Sequence, residues 1–317
     1  RAFNVLGIVS NLVCRIVELY YMIYQNCNDV RRMVEFRQCI SFDLILGESP
    51  VWDMRRQRLW FVDILAPSIH SLDPVTGDVQ HFKMPAAVGS IGLAKGGRLI
   101  VALRTGVHLF DPKSEKLEFL VHPEPDLHMN RLNDGKVGPD GCFWVGSMHD
   151  AIPRQPTAAL YRITPDGGCT RVVEGVRASN GLAWSPDSKV MYHADSRAPD
   201  IRAYDFDIRT GNLSNVRTLA APDEALGLPD GAAVDTDGNY WSAGITSGRL
   251  NKFSPSGELL ESIELPVPAP TMPCFGGPDM KTMFITSLDK QVGDRMYPGT
   301  LIACETNAVG VPVGEFG

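Results

Sequence analysis

The 317-residue sequence has no extended block of lysine and arginine, no C-x-x-C pair and no H-x-H pair. Its 30 Lys and Arg are outnumbered by 37 Asp and Glu, giving a net charge of −7. An acidic chain without a basic stripe suits neither nucleic acid nor an anionic membrane surface, so neither is expected as a partner. The 7 cysteines form an odd set and have no zinc-site spacing with the histidines. A chain of this length buries a core without disulfide staples. Cys142 and Cys304 lie in apolar strand-like runs and read as buried reduced thiols, which points to a reducing, cytoplasmic setting. No apolar run is long enough to span a bilayer, because Asn11, Arg15 and Glu18 interrupt the stretch from Val5 to Tyr24. The G-x-S-x-G elbow, the phosphate loop, the H-E-x-x-H helix and the dinucleotide fingerprint are also missing. Serine-hydrolase and zinc-protease readings are therefore weak.

What is present begins with ample hydrophobicity: 44% of residues are apolar, enough for a packed core. The first forty residues stand apart. Val5, Ile8, Val9, Leu12, Val13 and Ile16 keep helical spacing and predict a short amphipathic helix. Residues 1–40 are therefore expected to be an appendage, those before Met33 either a native extension or a non-native translation feature, and residues 41–317 a single domain.

Beyond residue 40 the pattern repeats. Short β-rich runs centred on Trp60, Ile100, Trp144, Tyr192, Trp241 and Phe284 recur about every 45 residues. Each follows a turn signal such as Lys95-Gly96-Gly97, Pro139-Asp140-Gly141 or Asp237-Gly238, and each is followed by another, such as Asp73-Pro74 or Pro165-Asp166. Such clusters supply the backbone angles that hairpins need. Two hairpins per repeat give about four strands, the signature of a β-propeller blade. The expected fold is all-β, a six-bladed β-propeller, with a two-sheet sandwich as the alternative. The strand-like run Ser41–Leu46 is expected to pair into the last blade and close the ring.

Four segments place a polar residue at nearly one distance before the strand marker: GESPVWD from Gly47, RLNDGK from Arg131, SNGLAW from Ser179 and LPDGA from Leu228. Equivalent positions in a ring point to one end of its axis. Glu48, Asn133, Asn180 and Asp230 are thus expected to converge there. Two carboxylates and two amides make an oxygen-only site for a hard cation. The same residues also form ordinary turns, and that reading stays open for any one of them.

GESPVWD, RLNDGKVGPDG, SNGLAWSPD, PDGAAVD and CFGG together resemble the senescence marker protein (regucalcin)/gluconolactonase/luciferin-regenerating enzyme-like family of sugar lactonases. The resemblance runs in order from about Leu44 to Glu305. It implies a central metal-binding tunnel holding one divalent cation, Ca²⁺ first, with Zn²⁺, Mn²⁺, Mg²⁺ or Fe²⁺ as alternatives. Glu48, Asn180 and Asp230 match the metal ligands, and Arg131 and Asn133 match the substrate contacts. Asp134 stands beside them, as a further contact or a turn residue, and Asp150 is the candidate for an additional acidic contact. The implied activity is hydrolysis of a sugar lactone to its aldonic acid, with Asp230 as the base that takes the proton from water. Three rivals remain at this level: a related esterase or organophosphate hydrolase, a non-catalytic Ca²⁺-binding regulator, and a propeller serving only as an interaction platform.

Overall fold

A computed structural model describes residues 34–317. The amphipathic helix expected between Val5 and Ile16 lies outside the described residues, as do Cys14 and Cys27.

Six four-stranded antiparallel sheets follow one another along the chain. Their innermost strands are Gly47–Asp53, Val88–Ala94, Asn130–Val137, Ser179–Trp184, Pro229–Val234 and Pro270–Gly276. Each contacts the next, and Pro270–Gly276 returns to Gly47–Asp53, so the sheets close into a six-bladed ring. The apolar runs around Trp60, Ile100, Trp144, Tyr192, Trp241 and Phe284 form the second strand of every blade. They are buried because each blade packs both faces against its neighbours, giving hydrophobic clusters between blades in place of one central core. Trp144, Trp184 and Phe206 fill one such seam edge to face, and Trp52 stacks on Phe284 in another.

The turn residues also hold side chains. In blade 3, Asp140 accepts a hydrogen bond from Trp144 Nε1 at 3.1 Å and pairs with Arg162 at 2.8 Å. In blade 5, Asp235 does the same for Trp241 Nε1 at 2.9 Å.

Ring closure differs from the sequence expectation. The outer strand of blade 6 is Arg37–Gln38, antiparallel to Leu301–Glu305. Within Ser41–Leu46 only isolated bridges form, Leu44 to Gly299 and Leu46 to Leu288. The cause is Asp63, whose carboxylate captures the amides of Ile45 and Leu46 at 2.8 and 3.1 Å and draws that backbone out of a ladder.

The chain's last described segment crosses the face where the innermost strands end. Val311 N bonds Val234 O in blade 5 at 3.0 Å, and Phe316 N bonds Leu93 O in blade 2 at 2.8 Å. Glu315 pairs with Arg55 at 2.7 Å. Between this crossing and the ring axis lies a cavity of about 160 Å³, lined in part by Trp52, Lys136, Trp184 and Cys274. The cysteines among the described residues are free, and no helix there is long and apolar enough to cross a membrane.

Candidate active site

Every innermost strand breaks register with its neighbour near its start. The breaks fall between Glu48 and Val51, Val88 and Ser90, Leu132 and Gly135, Asn180 and Ala183, Pro229 and Ala232, and Pro270 and Pro273. A bulge releases a side chain from strict alternation and re-aims it, here at the ring axis. Four blades put Glu48, Asn133, Asn180 and Asp230 at these points, all buried. The other two cannot contribute a free ligand. A Cβ on Gly89 would lie 2.4 Å from Leu132 O, and the Thr271 hydroxyl is committed to Gly47 O.

Local backbone explains how these bulges hold. Ser49 has φ 47, a left-handed position that a serine rarely takes. Its Oγ accepts the amide of Ile91 in blade 2 at 2.9 Å, and its own amide bonds Glu48 Oε2 at 3.0 Å. Gly181 has φ 65, and its carbonyl accepts from Tyr240 Oη at 2.8 Å. A Cβ there would sit 2.4 Å from that hydroxyl, so glycine is required.

A continuous chain of hydrogen bonds joins the blades. Arg131 Nη1 donates to Asn133 Oδ1 at 2.7 Å, and Asn133 Nδ2 donates to Asn180 Oδ1 at 2.9 Å. Asn180 Nδ2 then donates to Ser196 Oγ at 2.7 Å, and Ser196 donates to Pro229 O at 2.6 Å, next to Asp230. Arg131 also pairs with Asp150 at 3.3 Å, and Arg104 bonds the same carboxylate. Although burial opposes it, these arginines hold Asp150 below its ordinary value.

The two axial carboxylates behave differently. Burial, then the charges of Asp230 and Asp134, push Glu48 well above the usual carboxylate range. Asp230 is pushed up to about 8 by burial and by Asp134, with Arg131 and Arg197 opposing. Among the described residues, Glu48 receives a hydrogen bond only from Ser49 N, Asp230 receives none, and neither has a cationic side chain at ion-pair distance. Ionising two buried carboxylates in each other's field is unfavourable without a cation between them. Added to the Asn180 amide oxygen, they form an oxygen-only donor set that fits a hard divalent ion. No cluster of three or more His, Cys, Asp and Glu able to hold a metal occurs among the described residues; the set rests on an amide as its third member.

The expected residues are not all alike in placement. Arg131, Asn133 and Asn180 are joined by direct bonds, and Glu48 and Asp230 by mutual charge. Asp134 turns toward blade 4, where Oδ2 accepts the Leu182 amide at 3.1 Å while Oδ1 is buried without a partner among the described residues. Below it, Lys136 is buried with its ammonium on Ala232 O at 2.7 Å. Ser196 and the arginines at 104, 154 and 197 were not singled out by the sequence; they lie in the loops after second strands, whose unequal lengths give no period that would have found them.

The SMP-30/Gluconolactonase/LRE-like region matches residues 46–289 of this chain. The 6-deoxy-6-sulfogluconolactonase of Pseudomonas putida is 38% identical over 273 residues, covering 84% of this chain and 93% of that protein. The regucalcin of Xenopus laevis is 35% identical over 247 residues, covering 76% and 83%. A solved structure of a luciferin-regenerating enzyme superposes with a TM-score of 0.83 at 29% identity, covering 89% of this chain and 99% of that one. With the family match spanning most of the ring and relatives this similar over most of its length, the chain belongs to the SMP-30/gluconolactonase/LRE-like family.

Proposed function

We propose that the protein is a divalent-cation-dependent lactonase that opens a sugar lactone, an aldono-1,4- or 1,5-lactone, to its aldonic acid. The observation that carries this reading is the pair of buried, charge-uncompensated carboxylates, Glu48 and Asp230, set beside the Arg131–Asn133–Asn180 chain. Glu48, Asn180 and Asp230 would hold the cation, with Ca²⁺ favoured by the all-oxygen set. When bound, such an ion supplies positive charge for the oxyanion of ester hydrolysis and lowers the pKa of water.

The chain's own residues do the rest. Asp230, which accepts no hydrogen bond among the described residues, takes the proton as water adds to the lactone carbonyl and returns it to the ring oxygen as the acyl–oxygen bond breaks. Arg131 has Nη2 donors uncommitted among the described residues, and they orient substrate hydroxyls or the ring oxygen. Asn133 Oδ1 keeps a second lone pair for a hydroxyl proton while its Nδ2 fixes Asn180. Asp134, tied to Leu182, holds blade 3 to blade 4 and adds negative charge beneath the cation-holding pair.

The relatives' names support lactone hydrolysis, one of them for a gluconolactone bearing a sulfonate. The test is acid release, followed by pH-stat, over a panel of aldonolactones after chelation and after return of Ca²⁺, Zn²⁺, Mn²⁺ or Mg²⁺. Release that chelation abolishes and metal restores is expected. Tight cation binding without release from any lactone would overturn the enzymatic reading in favour of a calcium-holding role.

A further inference from the structure

In every blade the loop after the second strand lies on the face where Glu48, Asn180 and Asp230 sit. Three consecutive blades place an arginine in that loop: Arg104, Arg154 and Arg197. The equivalent loops of blades 1 and 5, Ile64–Pro67 and Ile245–Gly248, carry no charge. The loop of blade 6, 288–300, carries Lys290 and Arg295 beside Asp289 and Asp294, so three of the four arginines in these loops fall in the consecutive blades 2, 3 and 4, in a chain whose net charge is −7.

They are not equally neutralised. Arg104 and Arg131 share Asp150. Arg154 donates to the carbonyl of His149, and among the described residues neither Arg154 nor Arg197 has a carboxylate at ion-pair distance. Arg197 is nonetheless fixed to the site. Its amide bonds Asp195 Oδ1 at 3.0 Å, and the preceding residue, Ser196, bridges Asn180 to Pro229 O. The two loops adjoin: Arg154 rests on His149 O, His149 N bonds Arg177 O at 3.1 Å, and Ser196 N bonds the next residue's carbonyl, Ala178 O, at 3.1 Å. Burial and then the charge of Arg197 weaken the protonated form of Arg154, with Asp150 opposing. Like charges in adjoining loops are relieved by an anion between them, and a guanidinium fork matches a planar or tetrahedral oxyanion.

We propose that the lactone carries an anionic group on the arm remote from its carbonyl, and that Arg154 and Arg197 bind it. This rests on the lactonase reading: the carbonyl sits at Glu48, Asn180 and Asp230, and the exocyclic arm reaches toward blades 3 and 4. A sulfonate, a phosphate and a carboxylate share the required chemistry.

The test has two arms on the full-length protein with its cation. In the first, kcat/KM is measured for gluconolactone and for its 6-sulfo, 6-phospho and 6-carboxylate counterparts. The anionic substrates are expected to be preferred, and the anionic-to-neutral ratio to fall about tenfold in Arg154→Gln and again in Arg197→Gln, with partial recovery in the lysine variants. In the second arm, glucitol and its 6-phosphate and 6-sulfonate are titrated calorimetrically, which needs no turnover. Preferential binding of the anions, lost in the glutamine variants, supports the proposal even if no lactone is opened, an outcome that would strike only the lactonase reading. Equal handling of neutral and anionic ligands overturns it, as does an anion preference untouched by both substitutions.

Discussion

Replacing Ser196 by alanine isolates the hydrogen-bond chain that links the candidate ligands. The hydroxyl accepts from Asn180 Nδ2 at 2.7 Å and donates to Pro229 O at 2.6 Å. It is buried, so the alanine variant strands one donor and one acceptor away from water. Each orphaned group costs about 1–3 kcal/mol, and with partial relaxation the pair amounts to roughly 2 kcal/mol. For a domain of this size that lowers Tm by about 3–5 °C. Asn180 also loses the bond that fixes its amide plane, and such second partners tune cation affinity by about 10–100-fold. Scanning calorimetry on metal-free protein reads the first effect, and calorimetric Ca²⁺ titration reads the second. Ser196→Thr, which keeps the hydroxyl, should restore much of both. An alanine variant with unchanged Tm and unchanged Ca²⁺ affinity would refute the reasoning.

Asp230→Asn should abolish lactone opening and weaken cation binding, while metal-free protein at pH 8 melts no lower than the parent, because a buried uncompensated charge has been removed; acid release and calorimetry decide. Gly181→Ala should destabilise by about 2 kcal/mol or more through the clash with Tyr240 Oη and the left-handed backbone, measured by denaturant unfolding, and Tyr240→Phe added to it should cost less than the sum of the two. His70 is lowered from 6.5 to about 4 by burial and by His81. Its Nε2–H donates to Ser68 Oγ, whose own proton goes to Ala66 O, and its Nδ1 accepts from His81, so an added proton has no acceptor. The unfolded chain takes up that proton below pH 6.5 and the folded one does not until about 4, so stability is full above 6.5 and falls by up to roughly 3 kcal/mol on acidification through that window. Urea unfolding between pH 4 and 7 checks this: the slope should lose about one proton in His70→Asn.

The blade plan was legible because it rests on local signals repeated six times: Trp60, Trp144 and Trp241 announce second strands, and Asp-Gly pairs mark hairpins. Convergence of Glu48, Asn180 and Asp230 follows from equal phase in a ring. Closure was less legible, since Arg37–Gln38 is too short to show a period and Asp63, far along the chain, diverts Ile45 and Leu46. The roles of Asp134 and Ser196 depend on which blade lies next door, which sequence spacing does not encode. Arg154 and Arg197 sit in loops of unequal length, where no period aligns them.

The segment from Val311 to Phe316, laced to blades 5 and 2, gives the ring a floor. A molecule leaving by that end of the axis would have to displace this segment. On the proposed lactonase reading, lactone and acid then pass by the opposite face, where Glu48, Asn180 and Asp230 sit. On that reading, release of an acid past Arg154 and Arg197 would slow turnover apart from the bond-breaking step.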